Sequence, residues 1–191
     1  MNMHKHRAEA LRRLRANQYE LTDDGGVLVP EMGIKFAGAF QVQVNDGPWS
    51  IEPNLVVNEG ILHLLTVGMA QGTQDAAFYI APFSGNVTPV STWTAANFTA
   101  NATEYTAYAE TTRVLWAKDA AAANAIVNNT TPALFTINGG GGTLRGAGLM
   151  SVATKSGTTG YLIAAARFSA DKAMVAGEEL RVKYTLTGSS S

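Results

Sequence analysis

Three histidines and a scatter of carboxylates are the residues of this chain whose types could do chemistry. His4 and His6 stand two apart near the N-terminus, and His63 stands alone further in. Two imidazoles at i and i+2 on a helix do not face one direction, so metal binding has little to build on. Nucleophilic catalysis needs a hydroxyl beside a base. Serines and threonines abound, but His63 is the sole histidine of the body and there is no G-x-S-x-G turn. Glu104 with Glu110, and Glu178 with Glu179, are the conceivable carboxylate pairs. Neighbours on a strand point to opposite faces, so Glu178 and Glu179 cannot form a dyad, and both pairs read as solvated turn acids. The run Gly139–Gly142 lacks the lysine and hydroxyl of a phosphate loop and reads as a turn. No catalytic constellation is found, and the reading is of a non-enzyme with no cofactor and no metal.

The elements that would position such residues are mostly strands. Phe36–Val44 alternates, and Asn45-Asp46-Gly47-Pro48 turns it into a partner at Trp49–Glu52. One internal helix is expected after Asn58 as its cap, with Glu59 in the first turn, Ile61, Leu62, Leu64 and Leu65 apolar, and Gly68 as its stop. Further strands are expected at Ala77–Ala81, Glu104–Tyr108 and Arg113–Ala117, with Ser84–Ala102 a long loop anchored by Trp93 and Phe98. Leu134–Ile137, the glycine run and Leu144–Val152 read as a hairpin-like unit, followed by Leu162–Phe168. The last strand alternates Leu180, Val182, Tyr184 and Leu186 with polar residues. Many short strands parted by turn residues predict a mainly β fold, a sandwich or jelly roll. Trp49, Trp93 and Trp116 suit core or anchoring roles more than a stacking platform.

Composition narrows the partners. Only 15% of the 191 residues are charged, below the roughly 25% usual in soluble proteins, which favours a surface covered by partners. The net charge of −1 argues against bulk attraction to nucleic acid or membrane. Within residues 1–15, Lys5, Arg7, Arg12, Arg13 and Arg15 face Glu9 alone, which gives +4 there and leaves −5 elsewhere. With Leu11 and Leu14 on one helical face, residues 1–30 read as a basic arm and linker, and 31–191 as the β-domain. The absence of cysteine excludes disulfides and thiolate chemistry. No apolar run follows the basic start, so a signal peptide is not expected, and Gly60–Val67 is too short to span a bilayer.

Several segments follow one another in order: Asn54-Leu-Val-Val-Asn-Glu-Gly60, Gly72-Thr-Gln, Phe78-Tyr-Ile-Ala-Pro-Phe-Ser-Gly85, Ala102-Thr-Glu-Tyr-Thr-Ala-Tyr108 and Thr112-Arg-Val114. Phe135-Thr-Ile137, Ala165-Ala-Arg-Phe168 and Ala176-Gly-Glu-Glu-Leu-Arg-Val-Lys-Tyr-Thr-Leu-Thr187 continue the series. In this order they resemble a virion structural protein family of tailed bacteriophages, and the resemblance covers most of the chain from Phe36 onward. The resemblance implies a capsid decoration or cement protein, located in the virion after assembly in the host cytoplasm. Its partner would be the major capsid protein, with self-association besides. In that setting Leu11 and Leu14 would enter a groove while Arg12, Arg13 and Arg15 pair with acidic rim residues, with Lys5 and Arg7 also in the partner-binding arm. A low-copy neck, tail or fibre-base adaptor is the alternative. A carbohydrate-binding surface module using Trp93 is a second.

Overall fold

Alternation along the last strand reveals one of the two larger sheets. Leu180, Val182 and Tyr184 are buried, while Arg181, Lys183 and Thr185 between them are only partly covered. This strand can therefore keep one face toward the core and one toward water. The structure is a computed structural model that describes residues 20–21, 27–28 and 34–190. The chain divides into two compact units, Met1–Lys35 with Ser189–Ser191 and Phe36–Gly188. Of the first unit, the described part includes a small antiparallel ribbon of β1 (Glu20–Leu21) and β2 (Val27–Leu28). The expected arm helix and its residues Lys5, Arg7, Leu11, Arg12, Arg13, Leu14 and Arg15 lie outside the described residues.

The second unit is mainly β and sandwich-like. Its strands are β3 (Ile34–Val44), β4 (Ser50–Pro53), β5 (Leu55–Val56), β6 (Tyr79–Phe83), β7 (Val114–Leu115), β8 (Ala125–Val127) and β9 (Ala133–Thr136). The last three are β10 (Gly142–Met150), β11 (Leu162–Met174) and β12 (Glu179–Ser190). One sheet runs β5-β11-β10-β6-β7. The other runs β4-β3-β12-β8, with β9 also paired to β12. Between them lies a core that includes Phe40, Phe135, Leu144, Leu149, Leu180 and Tyr184.

The first sheet is covered on both faces. A second apolar cluster of Phe83, Trp93, Phe98, Met150 and Leu162 packs on its outer side. The buried run Leu162–Ala166 in β11 therefore shows no alternation, and its three alanines let the covering chain come close.

Among the described residues two helices are present where one internal helix was expected. Helix α1 (Asn58–Met69) follows β5, and α2 (Ala95–Ala102) lies inside the segment expected to be a loop. Its composition of alanine, threonine and asparagine gives little apolar periodicity, and capping starts it instead. The Thr94 N–H donates to Asn97 Oδ1 at 2.9 Å, as in a capping box. Asn58 is the first helical residue of α1 and Val57 its cap, while Gly68 lies within the helix rather than ending it.

Two other expectations are corrected. Leu134–Ile137 does not pair with Leu144–Val152, because β9 pairs with β12 and β10 with β11 and β6. The glycine run, with Gly139, Gly140 and Gly141 all at positive φ, carries the chain from one sheet to the other. Glu104–Tyr108 is likewise a crossing and not a strand. Glu104 bridges Phe83 of the first sheet, and Tyr108 bridges Ile137 beside the second.

Candidate interaction surface

Glu104 is not a solvated turn acid. Its carboxylate and the Arg113 guanidinium are both fully buried and form a two-pronged pair, Nε to Oε1 at 2.8 Å and Nη2 to Oε2 at 2.7 Å. The remaining capacity is spent on backbone and hydroxyl groups. Arg113 also donates to the carbonyls of Val152 and Gly157, both at 3.0 Å. Glu104 Oε2 accepts from Thr99 Oγ1 and from the Ser156 N–H, both at 3.1 Å. A buried pair survives desolvation only with such full satisfaction. Thr103 and Ser156, beside it, hold left-handed backbones at φ 53° and 57°, a strain that the surrounding bonds must maintain. The pair thus ties α2, the crossing segment and the loop after β10 together.

Glu110, its expected partner, instead accepts from the Thr136 N–H at 3.2 Å. Close to these groups, Lys155 Nζ donates to the Tyr108 carbonyl at 2.9 Å and lies 3.6 Å from the centre of the Tyr108 ring. Burial lowers the Lys155 pKa, against the pull of Glu110 and Glu104. Burial raises that of the Tyr108 hydroxyl, helped by Glu104. These groups act as braces between the crossing segment and the loop after β10.

Glu178 and Glu179 also serve locally. Glu178 accepts from the Val175 N–H and from Asn45, while Glu179 meets Arg181. His63 is buried on α1, with Nε2 at 3.0 Å from Asp75 Oδ2 and its ring stacked on Tyr161 at 4.2 Å. Among the described residues no group of three or more histidine and carboxylate side chains is placed to hold a metal. Nor, among them, is any helix long and apolar enough to cross a membrane.

Trp93 and Phe98 lie in the outer apolar cluster. With Phe83 they form three edge-to-face contacts at 6.1–6.2 Å. Trp93 is 5% exposed, so its ring offers no face to a ligand. Trp116 is buried in the other core and donates Nε1–H to the Tyr184 carbonyl at 3.0 Å, while Trp49 is half-buried under Lys183. The three indoles do not make one platform.

The outward surface of α1 is different. The helix seats Gly60 so tightly on β11 that an added Cβ would collide with the Ile163 carbonyl. Glu59, expected to serve its own helix, reaches away from it. Its Oε2 accepts from the N–H groups of Ala95, the first residue of α2, and of Leu162, both at 2.7 Å. That seating turns Leu62, Leu65 and Met69 outward at helical spacing, with 67%, 42% and 82% of their surface exposed. The only charged side chain of the helix is Glu59, already engaged, so this stripe is apolar and uncharged. Ile61 and Leu64 instead pack against the core. Sequence reasoning found four apolar positions on α1 but not which of them face out, because the buried face is set by glycine and histidine.

Comparison of the chain with protein-family models, curated proteins and solved structures finds no match.

Proposed function

We propose that this chain is a structural protein of a tailed-bacteriophage virion, a decoration or cement protein that stabilises the shell by burying surface on the major capsid protein. The observation that carries the reading is the exposed stripe Leu62, Leu65 and Met69 on a rigidly seated helix. Three large apolar side chains in a row on a charge-poor domain suit a contact surface. The sandwich-like fold agrees with the motif order that resembles phage virion proteins. The polar clusters agree too, since their capacity goes into holding loops. A lattice supplies many equivalent sites, so modest contacts of each copy gain from avidity. The basic residues of the arm would add contacts to acidic rim groups.

Copy number tests the proposal. Quantitative mass spectrometry of purified particles should find this chain in a ratio near that of the major capsid protein. A dozen or so copies would overturn the cement reading in favour of a neck or tail adaptor. Absence from the particle would overturn both.

A further inference from the structure

The core opens to solvent beside α1. A cavity of about 190 Å³ enters between the two sheets, walled by Leu64, Phe78, Trp116, Ile126, Leu149 and Leu186. Trp116 and Leu149 belong to the buried core, so the floor of the cavity lies between the sheets. Apolar cavities of roughly 150 Å³ already take up benzene, so this one has room for a single short apolar chain or one ring, and too little for two chains. Its walls lack free hydrogen-bonding groups, since the Trp116 indole N–H is held by the Tyr184 carbonyl.

Three polar residues also line the cavity, Gln74 and Lys118 exposed and His63 buried. His63 Nε2 lies close to Asp75 Oδ2, at 3.0 Å. Lys118 has no acidic partner among the described residues, and its ammonium lies 5.8 Å from the centre of the Phe78 ring, one wall of the cavity. Asp119 beside it is turned away, its Oδ2 accepting from the N–H groups of Asn129 and Thr130. Among the described residues, the cavity is therefore flanked by one exposed cation with no acidic partner, Lys118.

We propose that this cavity is a binding site for a small single-chain amphiphile, its tail between the sheets and its anionic head on Lys118. An apolar cleft with a few polar groups at one end is the usual form of such a site. The proposal does not depend on the virion reading. A side chain of a protein partner is the competing occupant.

Gly68 makes the site testable. It lies exposed at the rim, and a Cβ added there meets nothing within 4 Å. Gly68→Leu should fold at least as well as the parent, because leucine is the better helix former, and its side chain can occlude the opening. Gly68→Ala controls for the helix effect and should bind normally.

The probes are octanoate and octanol, titrated by calorimetry into the full chain. The parent should bind octanoate saturably at one site. Gly68→Leu should weaken binding about tenfold or more, from loss of the tail pocket. Lys118→Ala should weaken octanoate by about three- to fivefold and leave octanol unchanged, as expected for an exposed charge contact. No octanoate binding to the parent, or equal binding to Gly68→Leu, would overturn the site. Equal loss of both probes in Lys118→Ala would overturn the anionic head. If octanoate fails while Gly68→Leu alone removes the chain from capsid shells, the occupant is a protein side chain and the proposal falls.

Discussion

The region around Glu104 and the region around α1 solve opposite problems. Around Glu104, two full charges are taken out of water and further donors and acceptors of the pair hold the Val152 and Gly157 carbonyls, the Ser156 N–H and the Thr99 hydroxyl. Around α1, large apolar side chains face water and an apolar cavity opens beside them. The first arrangement is costly unless complete, and completeness makes it rigid. The second leaves unspent apolar surface, on the order of 1.5–3 kcal/mol for each large side chain that becomes fully buried. A rigid frame presenting unspent apolar surface is what a docking module requires.

The comparison can be broken most directly at the ion pair. Arg113→Met should cost about 3–5 kcal/mol, because it strands the Glu104 carboxylate in the interior. Denaturant unfolding measures it. The double variant Glu104→Leu with Arg113→Met should be more stable than the single one, since no charge is left unpaired. Equal stability of the two would mean that lost backbone partners, and not the charge, carry the cost.

At the other region the sensitive point is the seat of α1. Gly60→Ala should destabilise by about 1–3 kcal/mol, although alanine is the better helix former, because the helix must lift from the Ile163 carbonyl. A melting temperature at or above that of the parent would show that α1 is loosely held and the contrast overstated.

The smallest expected effect concerns Asp119. Hydrogen bonds from Thr130, its backbone N–H foremost, hold its pKa below the usual 3.8. A lowered folded pKa gives stability that is present above the unfolded value and is lost as pH falls through the folded one. Thermal melts of the parent and Asp119→Ala should differ near neutral pH and converge in acid. A constant difference across pH would contradict this.

Much of the frame was legible in the sequence because local patterns specified it. The β3–β4 hairpin followed from alternation and an Asn-Asp-Gly-Pro turn, and β12 from its strict period of two. Helix α2 was hidden, since a capping box and burial of Phe98 create it where propensity does not. The sheet exchange at Gly139–Gly141 was hidden for a different reason. A glycine turn between two apolar runs is locally the same whether the runs pair or part, and only tertiary pairing decides. The ion pair left one trace, an arginine set in the uncharged run Thr111-Thr112-Arg113-Val114-Leu115-Trp116. Its partner nine residues earlier could not be read without the crossing that brings them together. The outward leucines of α1 were readable as apolar, but their direction depends on what Gly60 and His63 bury.

The central claim is that the stripe on α1 is a contact surface and not a part of the fold. The direct test is occupancy on purified capsid shells of the double variant Leu62→Lys with Leu65→Lys, beside the parent. Exposed substitutions of this kind change stability by about 0.5 kcal/mol or less each. The variant should therefore melt with the parent and fail to occupy the shells. Parent-like occupancy by a normally folded variant would contradict the account.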